Sequence, residues 1–242
     1  ESPLGFKLES QETVPSSGWK IEKVSDRKVR DEWKPLWGKR AVVEDHFNEL
    51  VIDLVNPAGQ PERMQLVVRG YNDGFAFCYK IPDGKGPCVN VQSELTAYNF
   101  AGDYTAWFYN GENHNIGPEK LTETDGTRLP VMTVKAGDKH YLAIHEACLE
   151  TGAPLVLQSK GGESLFSVAS KPTSLSPGYT SAWRVVLYGT TPGVLTDSHL
   201  LELLNPDPDS RYDFSWVKPG LAVWDWRING AVWDLSLIHI SE

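Results

Sequence analysis

The chain is poor in several features that would have decided its function at once. No run of about 18 apolar residues occurs, so no helical membrane span is written into it. It has no Gly-rich phosphate loop, no paired-Cys zinc spacing, no His-Glu-x-x-His and no Gly-x-Ser-x-Gly. That removes the familiar nucleotide, zinc and serine-hydrolase signatures. Positive charge is short as well. A net charge of −9 argues against nucleic acid as a partner, because phosphate binding needs an excess of Lys and Arg. Cysteine is scarce: Cys78, Cys88 and Cys148 form an odd set without motif spacing, compatible with one disulfide plus a thiol or with three thiols. The chain opens at Glu1 without a charged-then-apolar leader, which leaves open whether the gene encodes one.

What is present is β structure. The 242 residues are 40% apolar and 23% charged, an ordinary globular balance for one large all-β domain or two small ones. Short alternating runs are separated by Gly, Pro, Asn and Asp at regular intervals, with no convincing long helix, repeat or linker. About a dozen strands in one large sandwich follow from this. Asn72-Asp73-Gly74, between two alternating runs, predicts a type I′ hairpin turn. Phe75, Phe77 and Tyr79 then share one face. Trp19–Val24 reads as a short strand and Asn110–Arg128 as a surface loop. Val194–Leu204 reads as a turn plus strand, ended by Pro206 and Pro208. Trp33 and Trp37 are expected to plug a core edge; sugar stacking is the other reading.

The chemically informative stretch is Lys139–Cys148. On a strand, Leu142, Ile144, Glu146 and Cys148 fall on one face, and Tyr141, Ala143, His145 and Ala147 on the other. His140 and His145 therefore diverge and make a poor metal pair, and His145 and Glu146 diverge too, so they cannot easily share one substrate atom as acid and base. His114 has no second ligand at useful spacing. Glu146 is the anomaly, since an ionised carboxylate on an apolar face needs a partner. Three readings are open: an exposed strand end, a buried pair with Arg or Lys, or a carboxylate serving a hard cation or catalysis.

Several motifs then fall in order: Asn72-Asp73-Gly74-Phe75-Ala76-Phe77, Glu94-Leu95-Thr96, Asn99-Phe100-Ala101-Gly102-Asp103-Tyr104-Thr105-Ala106-Trp107 and Ile144-His145-Glu146-Ala147. Ser181-Ala182-Trp183-Arg184, Asn205-Pro206, Trp216-Val217-Lys218-Pro219-Gly220 and Trp224-Asp225-Trp226 complete the series. From about Ser2 to Arg227 the chain resembles the N-terminal domain of glycoside hydrolase family 97, a bacterial α-glucosidase and α-galactosidase family.

The resemblance implies an all-β fold, a β-super-sandwich of galactose-mutarotase type with at most short helical turns. Residues 1–220 would be that domain, lacking its first strands. Residues 221–234 would begin the connection to a (β/α)8 catalytic barrel, and residues 235–242 read as a non-native tail. The family's catalytic carboxylates lie on the barrel, so no catalytic residue is expected here. The resemblance also implies calcium as cofactor, with Glu146 as the one ligand from this domain. It implies an α-linked oligosaccharide or α-galactoside as substrate, and a periplasmic or secreted bacterial location. A stand-alone carbohydrate-binding module, with Trp33, Trp37 or Trp107 as platform, and a mutarotase-like enzyme are the competing readings.

Overall fold

The computed structural model describes residues 3, 5–10, 18–57, 59, 61–111, 115–150, 152–169, 174–207 and 209–221. His114, Trp224-Asp225-Trp226, the tail and all of the expected connection except Leu221 lie outside them.

Fifteen strands follow one another among the described residues: β1 (Phe6–Leu8), β2 (Lys20–Trp33), β3 (Val43–Val55), β4 (Arg63–Tyr71), β5 (Gly74–Lys80), β6 (Val89–Glu94), β7 (Ala97–Asn99) and β8 (Thr105–Tyr109). Then come β9 (Asn115–Lys120), β10 (Thr127–Lys135), β11 (Tyr141–Ala147), β12 (Leu157–Ser159), β13 (Leu165–Val168), β14 (Ser174–Leu175) and β15 (Trp183–Gly189). Two short helices, α1 (Pro192–Asp197) and α2 (Leu200–Leu203), close the domain. The described residues thus form an all-β super-sandwich with only short helical turns, as expected. No helix among the described residues is long and apolar enough to cross a membrane.

The strands form a small sheet, β1-β6-β14, and a large one in the order β2-β3-β4-β5-β15-β11-β10-β12-β13-β7, with β8 joining β10 to β9. All strand pairings among the described residues are antiparallel, which suits the short turns between neighbours. Three apolar clusters hold the layers. Phe6, Leu8, Val91 and Leu175 of the small sheet meet Leu54, Met64 and Tyr79 of the large one. The β10 strand pairs with β11 and β8 through one end and with β12 through the other, so the sheet folds back on itself. Met132, Val134, Ile144, Leu155, Leu157 and Phe166 fill that fold. On the opposite face, Ala143, Ala147, Trp183, Val185 and Leu187 pack with Leu200 and Leu204. Each Leu or Ile buried this way contributes roughly 1.5–3 kcal/mol.

Several local expectations are corrected. Residues 194–204 form α1 and α2 rather than a strand. Pro192 opens α1, where its missing N–H costs nothing, and Leu200 and Leu204 are drawn into the core. The stretch Asn110–Arg128 holds β9 and a 3-10 turn at Leu121–Glu123, because Leu121 is fully buried. The strand at Trp19 continues to Trp33 as a long, exposed edge strand. Trp33 and Trp37 do not plug the core: they are 39% and 75% exposed. The Asn72-Asp73 hairpin is not of type I′. Tyr71 pairs with Gly74, and Cys148 is the one non-glycine residue with positive φ among the described residues. Tertiary contacts hold Asp73 instead: its carbonyl accepts from Tyr188 N–H at 2.8 Å and its carboxylate from Ser198 Oγ at 2.6 Å. Gly74 is required by packing, since a Cβ there would stand 2.4 Å from the Val186 carbonyl oxygen.

A candidate functional site around Glu146

Strand β11 is covered on both sides, and its alternation is as expected through Ala147. Ile144 belongs to the cluster inside the sheet fold, with Leu142 packed against it, while Ala143 and Ala147 belong to the cluster on the other face. Cys148 breaks the alternation. Its φ of 54° turns the chain, and its side chain packs with the Ala143 and Ala147 cluster rather than beside Glu146.

Glu146 pairs directly across the strands with Arg184 of β15. Its side chain is only 9% exposed. The exposed strand end is therefore ruled out, and the buried pair with Arg is what the structure shows. Arg184 is 1% exposed and lies on an otherwise apolar strand. All five of its N–H groups are used, the full donor capacity of a guanidinium. Nε and Nη2 donate to the two oxygens of Glu94 at 3.1 and 2.5 Å. Nη1 and Nη2 each donate to the Ala153 carbonyl at 3.3 Å, and Nη1 also reaches Glu146 Oε2 at 3.4 Å. Glu94 ends β6 in the small sheet, so this arginine ties the two sheets together.

The turn after β11 completes the arrangement. Leu155 N–H donates to the same Oε2 of Glu146. Gly152 lets the turn come this close, because a Cβ there would lie 2.0 Å from the Ala182 backbone nitrogen. Oε1 takes neither contact. Burial pushes the Glu146 carboxyl up; the Leu155 N–H and Arg184 oppose this, and Glu94 adds to it. Beside the triad, burial raises the Tyr98 phenol, and its hydroxyl has no partner among the described residues.

The histidines do not join this site. Nδ1 of His145 accepts from the Glu146 backbone N–H at 2.8 Å, and burial holds the ring below its ordinary value. His140 contacts the Tyr188 hydroxyl at 2.8 Å on the exposed surface. All three cysteines are free thiols, and burial pushes Cys78 up to about 12. Among the described residues, no group of three or more His, Cys, Asp or Glu could hold a metal ion. Trp107 is 37% exposed on β8.

Arg184 as the partner of Glu146, and Glu94 as the second carboxylate on that arginine, were missed at the level of sequence, although both stand in the motifs above. The available signal was an arginine inside the apolar run Trp183–Leu187, the mirror image of Glu146 in its own strand.

Fold and site together define a large two-sheet β domain. Its main buried charge is an inter-sheet ionic cluster rather than a nucleophile or a complete metal centre. The glycosyl-hydrolase 97 N-terminal model matches residues 1–206, and the chain belongs to that family. It is 24% identical over 266 residues to a retaining alpha-galactosidase of Bacteroides thetaiotaomicron, covering 93% of this chain and 39% of that protein. It is 28% identical over 248 residues to a probable retaining alpha-galactosidase of Streptomyces bingchenggensis, covering 95% of this chain and 36% of that protein. The chain thus spans less than two-fifths of these relatives. A family 97 glycoside hydrolase from Pseudoalteromonas sp. strain K8, solved with panose, matches with a TM-score of 0.78 and 26% identity over 90% of this chain and 35% of that one. A β-arabinopyranosidase shares the fold, with a TM-score of 0.66 at 18% identity over 78% of this chain and 34% of that one.

Proposed function

We propose that this chain is the non-catalytic N-terminal domain of a calcium-dependent glycoside hydrolase of α-glucosidase or α-galactosidase type. Residues 1–220 form the sandwich, and 221–234 begin the connection to a (β/α)8 barrel. The domain packs on that barrel, closes one side of the substrate pocket and gives the cation one ligand, Glu146. The substrate is an α-linked oligosaccharide or α-galactoside, a reading supported by the alpha-galactosidase names of the relatives and by panose in the solved neighbour. Export to the periplasm or the medium belongs to the same reading and rests on the family resemblance.

The observation that carries the calcium reading is a charge imbalance. Two carboxylates, Glu94 and Glu146, share one guanidinium, and Arg184 makes its close two-pronged contact with Glu94. One negative charge is left over in a nearly buried place, on the carboxylate with the longer contact and an oxygen to spare. Such a charge needs a partner. A hard divalent cation is one, and it would bring positive charge to the face where the two domains meet. Calcium takes about six to eight oxygens, so Glu146 fits as a single contributor and the other ligands must come from the barrel.

The division of labour is tested by calorimetric titration of calcium into the 242-residue chain. Weak or undetectable binding is expected. Tight binding by the chain alone would overturn it.

A further inference from the structure

If Glu146 supplies one oxygen to a cation, something must keep that oxygen available, since an adjacent guanidinium competes for the same carboxylate. The geometry points to Glu94 and Arg184 as positioning residues for Glu146, and we propose that Glu94 is the one that sets its availability. This inference rests on the reading of Glu146 as a cation ligand.

The argument is one of competition. Arg184 is buried and cannot shed its charge, because a guanidinium stays protonated in proteins. It must find a counter-ion among its neighbours, and two carboxylates reach it. Glu94 takes the parallel contact through Nε and Nη2, the bidentate mode that is strongest for an arginine and a carboxylate. Ala153 then takes one N–H from each terminal nitrogen. Only one N–H of Nη1 is left for Glu146, and it reaches Oε2 at 3.4 Å. The Leu155 N–H grips the same atom. Both contacts therefore fall on one oxygen. They fix the rotamer of the carboxylate and leave Oε1 as the atom it can offer.

With Glu94 neutral, the balance reverses. Arg184 would have Glu146 as its nearest carboxylate and would draw it in, so an incoming cation would have to displace a guanidinium to reach its ligand. Groups behind a metal ligand commonly change metal affinity by about 10- to 100-fold when altered. Glu94 would act this way from a different sheet, 52 residues before the ligand it serves.

The test is calcium titration by calorimetry on metal-stripped full-length enzyme, this domain joined to its barrel, for the wild type, Glu94→Gln, Glu94→Asp and Glu146→Gln. We expect Glu146→Gln and Glu94→Gln each to weaken calcium by about tenfold or more, and Glu94→Asp, which keeps the charge, to recover most of the loss. Affinity is read on folded protein, so a merely structural role for Glu94 would lower the melting temperature and leave the calcium constant where it was. If Glu94→Gln binds calcium like the wild type while Glu146→Gln does not, the positioning role is wrong and the ligand reading stands. If Glu146→Gln also binds like the wild type, both are wrong. Should Glu94→Gln not fold, unchanged calcium binding by Arg184→Lys, which keeps the charge and loses the fork, would overturn the proposal in the same way.

Discussion

Two ionic triads sit on opposite faces of the large sheet, and they are built with opposite surpluses. In one, Arg184 is shared by Glu94 and Glu146. In the other, Glu49 is shared by Arg27 and Arg69, at 2.6 and 2.7 Å. Trp183 and Arg184 are neighbours on β15. The indole packs 4.9 Å from the Arg69 guanidinium on one side of the sheet, and Arg184 reaches Glu94 and Glu146 on the other. Burial raises the carboxylate in both places. At Glu49 the hydrogen bonds from Arg27 and Arg69 outweigh it, and the group is held below its ordinary value. At Glu146 burial wins, and the group is raised. The lesson is that the count of partners decides, not the presence of an arginine. Glu49 is satisfied within the domain, with Arg69 also stacked 4.4 Å over Phe47. Glu146 is not.

That contrast can be broken by substitution. The largest effect belongs to Arg184→Met, which strands two buried carboxylates; a loss of roughly 3–5 kcal/mol is expected in urea unfolding. A loss under about 1 kcal/mol would mean that the triad is not buried in solution. Glu94→Gln comes next, at about 1.5–3 kcal/mol, the scale of a hydrogen bond to a charged group.

Glu49→Gln should cost a similar or smaller amount at neutral pH, because Arg27 is 58% exposed and water screens its share. Here pH sharpens the comparison. Glu49 has its folded value below the ordinary 4.5, so its ionised form contributes stability above the unfolded value. That stability is lost as pH falls through the folded value. The gap between wild type and Glu49→Gln should therefore close in acid, and a gap that widened below pH 4 would contradict the assignment. The smallest effect is expected for Glu146→Gln in the isolated domain, within about 1 kcal/mol. Glutamine can still accept from Leu155 N–H, and Arg184 keeps Glu94.

Much of the fold was legible because it rests on alternation. Strands β4, β5, β10, β11 and β15 follow from runs such as Phe75–Ile81 and Trp183–Leu187, where period-two patterning and Gly or Pro breaks agree. The misreadings share another cause. Leu200 and Leu204 form part of a helical turn because a core on the far side of β11 and β15 needs filling, and no local pattern shows that core. Trp33 and Trp37 are large and apolar, which predicts burial, yet Trp33 ends an edge strand whose side chains are solvated and Trp37 lies in the bend beyond it. The site was half legible. Glu146 stood out as a charge in an apolar row. Its partner Arg184 comes from 38 residues downstream, and the bond from Arg184 to Glu94, 52 residues upstream of Glu146, crosses between sheets, a relation that spacing along the chain does not encode.

The central claim is that Glu146 carries a charge this domain does not itself neutralise. It is tested most directly by the stabilisation that calcium confers on the full-length enzyme. A ligand at about 100 times its dissociation constant stabilises the folded state by about 2.7 kcal/mol. The account predicts such a rise in the wild type on adding calcium, and a rise of about 1.4 kcal/mol or less in Glu146→Gln at the same calcium concentration. An equal rise in both proteins would contradict it.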